Sequence, residues 1–287
     1  MNSKLRAAPP IRKWLERSSY YAALLALCIP FIFPFWWMFT SAFKKPIEIF
    51  EFPPPLLPTT WNWQNFVTVF TFQPFARHYF NSIYIALAVT LGTLLFSALA
   101  GYAFARIRFK GNSIIFIVLL SALMMPAEVT IVPNFVFMKA LRLDNTHFPL
   151  MLLPIFGANG IVTTFMMRQF FITLPVELED AARIDGLGRF GIFWQIAMPI
   201  ARPALAAVAI LTFLYSWNAF LEPFIFLSDT NPFTLPLSPR NYRDEYSAPL
   251  WNIQLAATTL SIIPVLIFYV LAQRQVIESF AQSGLKG

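Results

Sequence analysis

From Tyr20 to Phe43 the chain carries no charged side chain. A helix rises 1.5 Å per residue, so this run can cross a hydrocarbon core of about 30 Å. In lipid a backbone must satisfy its own hydrogen bonds, which makes helix the form such a run takes. Comparable runs extend from about Asn81 to Ala105, from near Ser113, and over roughly Phe148 to Met167, Pro203 to Leu227 and Pro249 to Ala272. The expected fold class is therefore an all-α membrane protein of six transmembrane helices. At 57% hydrophobic and 12% charged, the 287 residues lie far from soluble composition. A cleaved signal peptide is the rival reading of the first run, since Thr40-Ser41-Ala42 is weakly cleavage-like. Its apolar core would normally span only about 7–15 residues, which favours a retained span.

The spans are not uniform. Pro30 and Pro34 kink the first, and Pro264 lies inside the sixth. Gly92, Ser97, Ala98, Ala100 and Gly101 give the second a surface for close helix contact. Met125-Pro126 and Pro133 bend or break the third towards its outer end. Pro154, Gly157, Asn159 and Gly160 make the fourth irregular, as beside a cavity. Residues 44–78 and 228–247 read as outer loops, the former with Pro53-Pro54-Pro55 and the interfacial pair Trp61 and Trp63.

The organisation is a basic segment over residues 1–19, a six-span domain over 20–272 and a polar tail over 273–287. The net charge of +7 raises nucleic acid as a partner, but the basic residues flank apolar spans, so membrane lipid is the partner and nucleic acid is not. Placing the amino terminus, the 106–110 turn, the 168–202 loop and the tail on one side gives that side twice the Lys and Arg of the other. It is therefore the cytoplasmic side, with both termini inside. Lys44 and Lys45, just outside the first span, are the awkward pair. Cys28, the single cysteine, excludes a disulfide framework, and His78 and His147 lie too far apart in sequence to suggest a metal site.

One loop stands out by its charge. Residues 171–203 contain V-E-L-E-D-A-A-R-I-D-G-L-G-R-F-G-I-F-W-Q-I-A-M-P, read as two short helices around a glycine turn. Glu177, Glu179 and Asp180 occupy the positive end of the first helix dipole. Leu178, Ala181, Ala182 and Asp185 recur on one face, and Gly186 and Gly188 permit the turn. Phe190, Phe193 and Ile196 share a side of the second helix. An amphipathic surface loop is the plainer reading.

The spacing Asp180, Ala181, Ala182, Gly186, Ile196, Met198, Pro199 resembles the signature loop of bacterial ABC-importer permeases: Glu-Ala-Ala, three residues, Gly, nine residues, Ile-x-Leu-Pro. Asp180 stands for the family's Glu, and Met198 for its Leu. M-M-P-A-E-V at 124–129, R-Q-F-F-I-T-L-P at 168–175 and S-W-N-A-F at 216–220 look like the carbohydrate-uptake group, its shorter six-span subunit. The resemblance implies the type I importer permease fold with a cytoplasmic coupling hairpin. Glu179, Asp180, Ala181, Ala182, Asp185, Gly186, Ile196 and Pro199 would couple it to an ATPase. The implied partners are a second permease of similar fold, two ABC ATPases that bind ATP and Mg, and an extracytoplasmic substrate-binding protein.

No G-x-x-x-x-G-K-[S/T] loop, Ser-His-Asp set or His-Glu-x-x-His motif occurs, so no catalytic residues and no cofactor of its own are expected. A self-contained secondary carrier is the alternative class, although ionisable mid-span groups are missing. The expected cargo is a sugar or oligosaccharide, with a glycerol-phosphate-type ester as the alternative. Candidate substrate-path residues are Asn159, Thr163, Tyr215, Trp217, Asn218 and Gln254, with Thr258 beside them. Hydrogen bonding between helices explains such residues equally well.

Overall fold

The computed structural model describes residues 10–284, so Lys4, Arg6 and Lys286 of the basic and tail segments lie outside it. Four helices are long and apolar enough to cross a membrane: Arg17–Ser41, Phe75–Arg106, Phe148–Ile172 and Trp251–Val270. Two bent pairs, Asn112–Met124 with Glu128–Ala140 and Arg189–Ile200 with Arg202–Trp217, raise the count to as many as six when each pair is taken as one span by length and composition.

The chain forms two compact units. The first holds residues up to Val69 together with Tyr242–Leu260. It contains α1 (Pro10–Ser41), α2 (Pro46–Phe50), most of α3 (Gln64–Phe72) and the start of α14 (Trp251–Gly284). Its centre is a knot of aromatic and amide side chains. Phe43 meets Trp61, Trp63 and Phe66 at 4.8–4.9 Å between ring centroids. Asn65 donates to the carbonyls of Ala42 and Lys44 and accepts from Asn252. Lys44 is fully buried here, its Nζ 2.7 Å from the Pro55 carbonyl and 3.8 Å from the centre of the Trp37 ring. Burial lowers its pKa, and the nearby Glu48 carboxylate opposes that shift. Lys44 is therefore an internal structural cation, and its place beside a span says little about topology. That accounts for half of the awkward pair.

The second unit carries α4 (Phe75–Arg106), α5 (Asn112–Ser121), α6 (Ala127–Ala140), α7 (Phe148–Phe156) and α8 (Ala158–Ile172). Beyond them come α9 (Val176–Ile184), α10 (Arg189–Ile192), α11 (Met198–Ile200), α12 (Arg202–Trp217) and α13 (Leu221–Phe226). α4 is the hub, packed along α8, α12 and α7. Its small residues explain this. Ala98 is buried, and a Cβ on Gly101 would lie 2.8 Å from both the Arg168 nitrogen and the Met167 Cβ. Only glycine lets the two backbones approach so closely.

Two of the expected irregularities, in the third and fourth spans, are present and located, whereas α1 runs as one helix through Pro30 and Pro34. The third span turns by 105° after a 3₁₀ turn at Ala122–Met124, where Pro126 cannot continue the ladder. The fourth breaks between Phe156 and Ala158, and a Cβ on Gly160 would overlap the Ile155 carbonyl. The fifth helix ends earlier than its apolar run suggests: α12 stops at Trp217, and the chain re-forms as the short α13. In sequence the two pieces read as one span, although Asn218, Glu222 and Pro223 interrupt the apolar run at and just after the break.

Candidate functional site

The charged loop folds as the expected pair of short helices. α9 ends in a Schellman turn: Gly186 donates to the Arg183 carbonyl at 3.0 Å and Leu187 to the Ala182 carbonyl at 2.9 Å. Gly186 sits at φ +87°, the left-handed conformation this turn demands, whereas Gly188 has an ordinary φ of −73°. The second arm contains a π-helical turn at Phe193–Ala197, closed by the Met198 N–H on the Phe193 carbonyl. Pro199, which lacks an N–H, follows directly, and the wider turn shifts the phase of the arm. Phe193 is consequently buried against Tyr102 and Phe171, while Phe190 is 71% exposed.

The hairpin has an inner and an outer face. Ala182, Ile192, Phe193 and Ala197 are buried inside. With them lies a carboxylate, Glu179, whose side chain is only 7% exposed. Its Oε1 lies 3.2 Å from Arg106 Nε, an ion pair without hydrogen-bond geometry, and Arg106, at the C-terminal end of α4, donates to the Leu174 carbonyl. Glu179 Oε2 lies 3.4 Å from Arg183, which grips Asp180 at 2.8 Å. Asp180, Ala181, Asp185, Gly186 and Pro199 are exposed, and Ile196 is half-buried. Ile184 is 87% exposed beside them. The face inferred from Leu178, Ala181, Ala182 and Asp185 thus divides, with Ala182 inside and the other three outside.

Arg106 was legible only as part of a basic turn. Its partner lies 73 positions away, and the one sequence sign of the cluster is the Glu179–Arg183 spacing, an i,i+4 pair.

The opposite end of α4 carries a second polar assembly. His78 places Nδ1 2.9 Å from Ser238 Oγ and Nε2 2.8 Å from the Thr230 carbonyl. Asn81 donates to the carbonyls of Asn231 and Phe233, and Ser82 Oγ accepts from the Leu235 N–H. Just ahead of the helix, Gln73 donates to the Ser238 carbonyl and hydroxyl. His147 repeats the arrangement, between the Tyr84 hydroxyl and the Pro232 carbonyl at 2.6 Å. Both histidines hold the 228–241 segment, a role that backbone acceptors leave invisible in sequence.

Burial pushes the His147 imidazole below its ordinary value near 6.5; the bond to Pro232 opposes this and the Arg77 charge adds to it. The released segment therefore binds more protons than the clasped one between the lowered pKa and about 6.5. The clasp is complete above that window and weakens as pH falls through it, by at most about 1.4 kcal/mol per pH unit for one proton. Amide exchange over residues 228–238, corrected for intrinsic rate, should show less protection at about pH 5.5 than at about pH 7.5. Equal protection would contradict the role of His147.

A cavity of about 600 Å³ lies between α6, the α7–α8 break and α13. Tyr215, Glu222, Asn134 and Thr130 are its polar lining, among Met125, Phe156 and Ile161. Tyr215 donates to Glu222 at 3.3 Å. Of the substrate-path residues, Tyr215 lines this cavity and the others lie elsewhere. Thr163 bonds back to the carbonyls of Asn159 and Gly160, and the Asn159 amide nitrogen is buried without a hydrogen-bond partner. Trp217 is stacked on Phe213, and Asn218 caps its own helix through Leu214. Gln254 donates to the Tyr242 carbonyl and accepts from Thr258 through its own carbonyl.

The chain thus combines apolar, span-length helices with one charged hairpin. Residues 93–278 match the family model described as binding-protein-dependent transport system inner membrane component. The chain is 35% identical over 286 residues to the arabinooligosaccharides transport system permease protein AraQ of Halalkalibacterium halodurans, covering 98% of this chain and 99% of that one. It is 33% identical over 279 residues to the probable ABC transporter permease protein YurM of Bacillus subtilis, covering 97% and 92%. It is also 34% identical over 259 residues to the sn-glycerol-3-phosphate transport system permease protein UgpE of Yersinia enterocolitica, covering 88% and 91%. A solved bacterial ABC transporter involved in the import of the acidic polysaccharide alginate shares the fold, with a TM-score of 0.77 over 94% of this chain and 99% of that one at 22% identity.

The chain belongs to the family of binding-protein-dependent transport system inner membrane components. It is a permease subunit of an ABC importer, a multi-pass inner-membrane protein and a transport component rather than an enzyme. Such a subunit works with an ATPase and a substrate-binding protein.

Proposed function

We propose that the 176–203 hairpin docks on the ATPase through its outer face, which presents Asp180, Asp185, Ile184 and Phe190. The supporting observation is the division of labour in the hairpin. Glu179 is consumed inside by Arg106, whereas charged and apolar side chains one or two turns away are left at the surface. Exposed apolar residues rimmed by charge mark interaction sites. Glu179 and Ala182 then shape the hairpin, Gly186 sets its turn, and Asp180 offers the carboxylate, held by Arg183.

In this reading the hairpin and both termini face the cytoplasm, and residues 228–241 face the binding protein. Two ATPase chains bind ATP and Mg, and a second permease of similar fold completes the pore. The cargo is a neutral saccharide. Tyr215 and Asn134 supply an aromatic face and an amide, while Glu222 is the charge in the cavity wall and no Lys or Arg is among its described lining residues. A carboxylate without a compensating cation disfavours a phosphate ester. Reconstituted with its ATPase and binding protein, the importer should take up a neutral oligosaccharide in an ATP-dependent manner and leave glycerol phosphate outside. Uptake of the phosphate ester in preference, or uptake without ATP, would overturn this assignment.

A further inference from the structure

The two polar assemblies share one helix. The last residue of α4, Arg106, grips the hairpin at Glu179 and Leu174, and its first turns grip the 228–241 segment through His78, Asn81 and Ser82. α4 as a whole is 32 residues long, about 48 Å at the α-helical rise. No proline lies inside α4, whereas α1 contains two and α6, α7 and α14 each have one in their interior. The neighbouring fourth span is broken at Gly157 and would absorb a displacement by bending there.

The end contacts are suited to carrying motion. Arg106 and Glu179 are 10% and 7% exposed, so little water screens the two charges, and the carbonyl of Leu174 accepts from the guanidinium on a second side. At the other end the bonds run to the backbone of residues 230, 231, 233 and 235. The segment must therefore move with the helix or break several hydrogen bonds together.

We propose that α4 is a transmission rod, with the Arg106–Glu179 pair as the positioning contact that passes a displacement of the hairpin to the 228–241 segment at the far end. The proposal rests on the hairpin docking described above. Through the rod the nucleotide state of the ATPase sets the position of a segment that lies about the length of α4 away. Lying between two sites is not by itself evidence of coupling, so the test must read the response at the far end.

The probe is an environment-sensitive fluorophore on Asn231→Cys, whose side chain is exposed, in a Cys28→Ser background that removes the only native thiol. The complex is purified with its ATPase, placed in lipid nanodiscs and given ATP with Mg. A nucleotide-dependent shift of the probe is expected, about fivefold or more smaller in Arg106→Gln and largely restored in Arg106→Lys, the lower end of ordinary coupling strengths. An undiminished shift in Arg106→Gln, or no shift in the parent complex with ATPase bound, overturns the rod and leaves the docking assignment standing. Absence of any ATPase from the parent complex overturns the docking assignment itself. If Arg106→Gln alone sheds the ATPase, Glu179→Gln replaces it, since the amide keeps the shape of the carboxylate. A reduced shift there supports the rod, whereas loss of the ATPase there too shows that the pair serves docking only and overturns it.

Discussion

Replacing Gly101 with leucine should remove nearly all of the folded protein that mild detergent extracts from the membrane. The first atom of the new side chain already lies 2.8 Å from the Arg168 nitrogen and the Met167 Cβ, in the middle of the contact between α4 and α8. Overpacking ordinarily costs about 1–3 kcal/mol when neighbouring side chains can give way. Here a main-chain atom stands in the way, so whole helices must separate and the cost exceeds that range. Gly92→Ala makes the matching control: its Cβ would meet the Ile155 Cδ1, the tip of a flexible side chain, and a small rotation accommodates it. Comparable extraction yields of Gly101→Leu and the parent, with the same thermal profile, would show that α4 and α8 do not need this approach.

The second large effect is expected at the outer face of the hairpin. Ile184→Asp combined with Phe190→Asp places two new carboxylates where the surface is now apolar, on residues 87% and 71% exposed. Neither side chain packs inside, so the variant should insert, fold and melt like the parent. If these two are anchors of the ATPase interface, truncation and charge together cost about 2 kcal/mol or more, roughly thirtyfold in affinity. The measurement is retention of the ATPase on the immobilised permease across a dilution series. Unchanged retention would move the docking surface away from the hairpin tip.

The reach of the sequence can be judged from these same residues. Hydropathy located the spans because lipid imposes a long, uncharged run on every crossing, and proline and glycine marked the breaks at 126 and 157 through their effect on the helical ladder. The hairpin was legible because its turn needs a particular residue at a particular place, Gly186 at φ +87°. The inward direction of Glu179 was not. A carboxylate on an amphipathic helix reads as solvent-facing unless its cation is known, and Arg106 belongs to a different helix. The clasp on residues 228–241 was hidden for a related reason. Its acceptors are mostly main-chain carbonyls, which every residue carries, so His78 and Asn81 looked like ordinary polar positions near the end of a span. The early end of α12 at Trp217 falls in a third class: Asn218 stands at the break, but one polar residue in a mostly apolar run does not by itself end a helix.

Together these features describe a permease whose hairpin and 228–241 segment are held by polar contacts at the two ends of one unbroken helix. The small-residue face of α4 holds the bundle together. Arg106 and Glu179 attach the hairpin, and the histidine clasp attaches the opposite loop.

The most direct test of the account is affinity purification of this chain from its native membrane in mild detergent, with mass-spectrometric identification of the chains that accompany it. The account predicts a nucleotide-binding ATPase and a second permease of similar fold in the complex, with the ATPase lost from the Ile184→Asp/Phe190→Asp variant. Recovery of the chain alone, with no ATP-dependent transport alongside any candidate ATPase, would contradict it.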